Sequence, residues 1–247
     1  MLEPGIISFH APQILGVAQQ QGKRSLLGKA LGMTSKTPPK RVLDATAGLG
    51  RDGLAMACLG LTVTLLERSP GIAAGLQTAL AEGLAFAQAQ SQPKTQVQTQ
   101  AGTQAQAGAQ AQAQAQTQTP PTLLTILNRI TVIQVDARSF LRELVKDSGS
   151  QSQPQFDVIY LDPMFPDSNK KRLSKKPMQV LEQIVGDDPD ADELLPLAQQ
   201  VAKNRVVVKR HQHSPWLANQ KPTMSFFGKS HRFDVYLIGH ALTKRIA

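Results

Sequence analysis

The sequence predicts a mostly parallel α/β sheet of seven strands, doubly wound in the Rossmann-like manner and finished by an antiparallel edge. Three observations carry that reading. Short apolar strands alternate with helix-period segments along most of the chain. The first strand runs directly into a small-residue loop, Thr46-Ala47-Gly48-Leu49-Gly50, and from there into a helix. Near the end, two strand-like segments follow one another with no helix between them, the mark of an antiparallel pair.

The elements follow in order. Residues 1–40 form a lead-in, or small subdomain, in which Ile6-Ile7-Ser8-Phe9 reads as a short strand. Leu26 to Leu31 reads as a short amphipathic helix stopped by Gly32, and Pro38-Pro39 closes the lead-in. The main domain spans 41–247. Its first strand is Arg41 to Asp44 or Ala45, and a helix covers Gly53 to Leu59. The second strand, Leu61 to Glu67, is nearly all apolar, as a strand buried on both faces is. Pro70 suits the first turn of the next helix, which places Ala73, Leu76, Leu80 and Leu84 at helical spacing.

Residues 88–122 are a low-complexity insertion of Gln, Ala and Thr with a single charge, Lys94. Such a tract buries too little apolar surface to offset the entropy of ordering it, so it is expected to be a disordered surface insertion. Leu123 to Leu127 then reads as the tail of a helix, followed by a strand at Ile130 to Val135 and a helix at Ser139 to Val145. The fourth strand, Phe156 to Leu161, delivers Asp162 at its C-terminal end. A helix over Asp190 to Lys203, a strand over Arg205 to Lys209, and the pair Thr223 to Phe227 and Phe233 to Ile238 complete the sheet.

Right-handed crossovers bring the C-terminal ends of parallel strands to one edge. Asp44, Glu67, Asp136 and Asp162 all end strands there, so four acids converge on one crevice. The loop beside them admits two readings. Gly48-Leu49-Gly50-Arg51-Asp52-Gly53 is G-x-G-x-x-G, which with Glu67 offers a dinucleotide site. Asp44, four residues before the first glycine, is instead typical of an S-adenosylmethionine loop. Asp162-Pro163-Met164-Phe165 tips the balance to methyl transfer, because an amino-group methyltransferase keeps its catalytic tetrapeptide at that strand end.

Each residue has a physical task on this reading. Gly48 and Gly50 let the cofactor lie against backbone, and Arg51 and Asp52 open the helix, where Asp52 also suits the dipole. Glu67 is placed for two ribose hydroxyls, and Asp136 with Ala137 for the adenine. Asp162 and the Pro163 carbonyl can hold the two hydrogens of an aromatic amine while Phe165 stacks on its ring. For Asp44 and Asp52, loop bracing or helix capping is the competing role.

The composition fits a nucleic-acid enzyme. The 247 residues are 41% hydrophobic with a net charge of +9, enough apolar material for a core and a bias towards a polyanionic partner. Lys170, Lys171, Arg172, Lys175 and Lys176 form a basic run after the tetrapeptide, and Lys209, Arg210 and Arg232 are further candidates for RNA contact. Cys58 is the sole cysteine, which suits a reducing compartment and a core position. No signal-peptide pattern and no apolar run of membrane-spanning length occurs, so a cytoplasmic location without membrane association is expected. His211-Gln212-His213 reads as a polar loop, and no metal is expected.

Several segments, in order, resemble one bacterial family, that of the small-subunit ribosomal RNA guanine-N2 methyltransferase J. They are Asp44-Ala45-Thr46-Ala47-Gly48-Leu49-Gly50-Arg51-Asp52, Leu66-Glu67-Arg68, Tyr160-Leu161-Asp162-Pro163-Met164-Phe165-Pro166, Val206-Val207-Val208-Lys209-Arg210 and His231-Arg232-Phe233-Asp234-Val235-Tyr236. The resemblance covers roughly Gly22 to Gly239 apart from the Gln/Ala insertion. It implies a class I fold and S-adenosylmethionine held by Arg51-Asp52, Glu67-Arg68, Asp136-Ala137 and Asp162. It further implies a guanosine near the 3′ end of the small-subunit ribosomal RNA as target. The lead-in before Gly22 is short and only loosely similar to the family's, and the insertion is foreign to it. Two other readings remain open at this point: methylation of another amine, in DNA adenine or protein, and a non-catalytic RNA-binding module with a vestigial cofactor site.

Overall fold

Parallel register puts strand ends where the sequence expects them. The structure, a computed structural model, describes Ile7, Phe9 and residues 22–91, 122–148, 155–163 and 191–239. Seven strands form one sheet: β1 Arg41–Asp44, β2 Thr62–Glu67, β3 Ile130–Gln134, β4 Phe156–Leu161, β5 Ala202–His211, β6 Met224–Phe227 and β7 His231–Leu237. Their order is β3-β2-β1-β4-β5-β7-β6. The first five pair in parallel, and β7 runs antiparallel to both β5 and β6. The predicted architecture, with its antiparallel edge, is the one observed.

Helices cover both faces. On one side lie α1 (Leu26–Leu31), α2 (Arg51–Cys58), α3 (Pro70–Ser91) and α4 (Leu123–Leu127); on the other lie α5 (Ala137–Ser148) and α6 (Ala191–Val201). Side chains alternate along each strand, so the two faces feed two apolar cores. Val63, Leu65, Val158, Tyr160 and Val207 fill the first, and Leu43, Leu66, Ile159, Leu161 and Val208 the second. This explains the largely apolar stretches 63–66 of β2, 158–161 of β4 and 206–208 of β5. Ser25 caps α1 through its hydroxyl, and Gly32 ends it in the left-handed region at φ 86, as the sequence signals.

Among the boundaries that differ from expectation, four have a plain local reason. Helix α2 starts two residues early because Gly50, at φ 72, turns the chain into the helix as its N-cap. Helix α3 continues through Ser91, four residues into the tract expected to be the insertion, since Ala87 still packs into the core at 3% exposure. Residues 92–121 of that tract lie outside the described residues. The segment Leu123–Leu127 is a helix in its own right, capped by the Thr122 hydroxyl, rather than the tail of a longer one. Strand β5 begins immediately after α6 and runs to His211, absorbing residues first assigned to the helix. Of the expected Ile6–Phe9 strand only Ile7 and Phe9 are described, and Phe9 is a core residue beside Gly50 and Gly83. Among the described residues no helix is long and apolar enough to cross a membrane.

Candidate active site

The site is built where β1, β2 and β4 end together. From β1, Asp44 is buried, and its Oδ1 accepts the Thr46 amide at 3.1 Å, tightening the first turn of the glycine loop. The loop then reaches β2: Glu67 Oε2 accepts the Gly48 amide at 3.0 Å and Oε1 accepts the Ser69 amide at 2.7 Å. Glu67 thus fixes the loop and its own orientation at once. Gly50 has φ 72, and a Cβ there would stand 2.7 Å from Leu76 Cδ2. A Cβ on Gly53 would run into Leu65 Cδ2, so this third glycine serves the close approach of α2 to the sheet. Gly53→Ala is expected to destabilise the fold by about 1–3 kcal/mol through overpacking, read as a lowered denaturation midpoint. A midpoint equal to that of the parent would remove this role.

The N-terminus of α2 faces the crevice with no side-chain cap. Its first-turn N–H groups and partial positive charge suit the carboxylate end of an amino-acid ligand. The opposite requirement is met beside it. Asp44, Asp52 and Asp162 interact electrostatically with one another, with one ammonium, Lys209, among them. Such a crevice presents carboxylate oxygens to a cationic sulfonium. Burial pushes the Asp44 carboxyl well above the usual carboxylate range, with Asp52 adding to the rise. Burial also pushes Asp162 up to about 6, against the pull of Lys209 and with the Asp52 charge reinforcing the rise.

Asp162 is held from two sides. Its amide donates to the Thr46 hydroxyl at 2.6 Å, which ties the end of β4 to the glycine loop. Its Oδ2 accepts from Lys209 Nζ at 2.9 Å, and the same ammonium donates to Asp52 Oδ2 at 2.7 Å. The Tyr160 hydroxyl also donates to Asp52 Oδ2, at 2.6 Å. Asp52 therefore does not cap its helix; it anchors an ion triad. Tyr160 and Thr46 were not singled out in the sequence, although Tyr160 shares the strand face of Asp162 by its two-residue spacing.

The remaining predicted residues separate into three groups. Asp136 ends β3 on the same edge, but its carboxylate is bidentate to Arg138 at 3.1 and 2.9 Å and accepts the Arg138 amide at 2.9 Å, opening α5 at Ala137. The Arg138 hydrogen bonds outweigh burial and hold its carboxyl below the usual range. Arg51 is exposed and Arg68 partly so. Pro163 is buried beside Asp162, whereas Phe165 and the basic run Lys170, Lys171, Arg172, Lys175 and Lys176 lie outside the described residues.

The assignment of Lys209, Arg210 and Arg232 to RNA contact is corrected by their surroundings. Lys209 belongs to the triad. Arg210 is 4% exposed and donates to the Pro215 carbonyl from Nε and Nη2. Arg232, also 4% exposed, pairs with buried Asp234 and donates to the His211 and Gln212 carbonyls. Buried guanidinium groups spent on backbone and carboxylate cannot meet a phosphate. His211 and His213 sit with ring centroids 5.8 Å apart, and among the described residues no group of three metal-type ligands forms.

This sheet order, with a glycine loop after β1 and an acid-proline pair after β4, defines an S-adenosylmethionine-dependent methyltransferase. The family model for SAM-dependent methyltransferases matches residues 13–122 and 113–238. A crystal structure of a SAM-dependent methyltransferase from Neisseria gonorrhoeae is similar at TM-score 0.61 and 31% identity, covering 97% of this chain and 76% of that one. The ribosomal RNA small subunit methyltransferase J of Saccharophagus degradans is 40% identical over 87% of this chain and 68% of its own length. That of Aeromonas salmonicida is 39% identical over 88% and 70%. The chain belongs to the ribosomal RNA small subunit methyltransferase J family. The dinucleotide reading of the glycine loop falls with this: the cofactor is S-adenosylmethionine.

Proposed function

We propose that the protein transfers a methyl group to the exocyclic N2 of a guanosine in small-subunit ribosomal RNA, in the cytoplasm. The observation that carries this is Asp162, delivered by β4 beside the glycine loop, pinned through its amide and paired through its carboxylate. The substrate class rests on the relatives, which bear the name ribosomal RNA small subunit methyltransferase J.

An exocyclic aromatic amine is a poor nucleophile because its lone pair is delocalised into the ring. The Asp162 carboxylate and the Pro163 carbonyl accept its two hydrogens, which turns the lone pair out of the ring plane towards the crevice. When bound, S-adenosylmethionine supplies the activated methyl group and leaves as a neutral thioether. As the nitrogen takes the methyl group its N–H becomes acidic, and Asp162 is placed to accept that proton before passing it to water. Glu67, ending β2, and the α2 N-terminus would hold the cofactor's ribose and amino-acid ends. Lys23 and Arg24 ahead of α1, and Lys229 in the β6–β7 turn, are exposed. Leu26 packs at Gly228, so these cations share the edge of the site and replace Arg210 and Arg232 as phosphate contacts.

The test is transfer of a labelled methyl group to naked small-subunit RNA, assembled small subunits and DNA, followed by nucleoside analysis. Label in N2-methylguanosine from the small-subunit RNA is expected. Label confined to DNA or protein would replace this reading with methylation of another amine, and cofactor binding without any transfer would leave only an RNA-binding module.

A further inference from the structure

We propose that Lys209 is the positioning residue of the methyl-transfer centre, its ammonium holding the Asp162 carboxylate ionised and aimed into the crevice. This rests on the reading of Asp162 as the group that receives the target amine.

The geometry begins with strand register. Leu161 lies opposite Val208 in the β4–β5 ladder, so Asp162 and Lys209 come side by side where the two strands reach the crevice. Lys209 lies opposite Phe233 of β7, and the Phe233 ring stands 6.4 Å from that of Tyr160. Lys209 therefore shares the sheet face that α2 covers, and meets Asp52 there. The three side chains are 26%, 28% and 36% exposed for Lys209, Asp52 and Asp162, far from freely solvated. Burial disfavours the ammonium, yet the Asp162 and Asp52 charges outweigh it and hold the Lys209 pKa above the ordinary lysine value.

Asp52 works here as a strut. Its Oδ2 receives both Lys209 and the Tyr160 hydroxyl, and Tyr160 is wholly buried. Lys209 is thus fixed from behind and pulls on Asp162 Oδ2 alone. Among the described residues nothing else bonds to that carboxylate, which leaves Oδ1 for the substrate. Without the ammonium, burial and the Asp52 charge would both favour the protonated acid. A protonated carboxyl is a weaker acceptor than the carboxylate and cannot take the proton that the nitrogen sheds as it is methylated.

Other groups face the same point. Asp44 approaches from β1, Asp52 from α2, Tyr160 from β4, Arg210 from β5 and His231 from β7. His231 is held below its usual value by burial and then by Lys209, so its titration moves too when the lysine is changed. The readout must therefore come from Asp162 itself.

The experiment is a carboxyl carbon NMR titration of the full chain without cofactor, the Asp162 signal being assigned with Asp162→Asn, beside the pH dependence of methyl transfer. Lys209→Met removes the charge, Lys209→Gln keeps donors without charge, and Lys209→Arg keeps the charge. The parent should titrate near 6. Loss of an opposite charge should raise the midpoint by about 1–3 pH units in the Met and Gln variants. Their turnover at pH 7 should fall roughly 2- to 100-fold, in step with the size of the shift, and recover in part as the pH rises through the new midpoint. The Arg variant should stay near the parent in both measurements. An unmoved Asp162 midpoint in either neutral variant overturns the proposal, and so does a loss of turnover that is equal at every pH, the pattern of a merely structural lysine. A moved midpoint with undiminished methyl transfer overturns instead the role given to Asp162.

Discussion

Asp162→Ala is expected to lower turnover by about 10³-fold while RNA affinity stays near that of the parent protein. The size follows from what the side chain is asked to do. An acceptor aimed at the reacting nitrogen acts in the transition state, so its loss appears in kcat more than in ground-state binding. Removing a carboxylate from a site that must also approach a polyanion does not weaken that approach. The fold should tolerate the change. The Asp162 amide keeps its bond to Thr46, Lys209 keeps Asp52, and the carboxylate lost is one whose ionisation burial opposes. Asp162→Asn separates charge from shape: it retains one acceptor oxygen but presents an NH₂ to an amine that needs acceptors, so most of the loss should persist. In the parent, kcat/KM should fall as the pH drops through about 6, because the free enzyme then binds a proton at the group that must accept one. The measurement is single-turnover methyl transfer beside an RNA binding isotherm. Turnover within tenfold of the parent would remove Asp162 from the reacting centre.

The fold was legible because its signals are local. Apolar runs ending in an acid, a glycine loop opening a helix, and two strands in succession are each contained in a few residues, and parallel topology then decides which strand ends meet. Asp44, Glu67, Asp136 and Asp162 reached a common edge for that reason alone. The partners of those acids were not legible. Lys209 is 47 residues from Asp162 and 157 from Asp52 in the chain, and their meeting depends on the β4–β5 register and the height of α2. Arg210 and Arg232 show the same limit from the other side. In a strand buried on both faces the apolar pattern does not mark which alternate positions point inward, so a cation near the strand end reads as surface. Arg210 in fact shares the face of Val206 and Val208, above the second core. A usable signal was present in β7, where Arg232 and Asp234 are two apart and therefore on one face, the spacing of a possible in-strand pair. Helix α3 outran the sequence boundary because Ala and Gln are permissive. They form helix where a neighbouring core templates it, as Ala87 shows, and composition does not locate where that support ends.

The same pair makes the second large prediction. Asp234→Ala is expected to destabilise the protein by about 3–5 kcal/mol, since it strands a buried guanidinium. Asp234 is fully buried; its carboxylate accepts Arg232 Nε at 2.9 and 3.1 Å and the Ser225 hydroxyl at 2.6 Å. Arg232 lies opposite Arg210 in the β5–β7 ladder, so two cations share one buried patch. The strain shows in Arg210: burial and then the Arg232 charge disfavour its ionised form, and Asp234 offsets part of that. Removing Asp234 leaves the two arginines facing each other without that carboxylate. Arg232 also ties the His211 and Gln212 carbonyls, so the loop leaving β5 should loosen with it. Urea denaturation of the parent, Asp234→Ala and the double variant Arg232→Met with Asp234→Leu gives the answer. The double variant should regain much of the loss, because an apolar pair of similar volume avoids burying charge at all. If the single variant unfolds within about 1 kcal/mol of the parent, the pair is not the inward brace described. If Arg232→Met weakens RNA binding at unchanged stability, Arg232 returns to the RNA-facing surface from which its burial removes it.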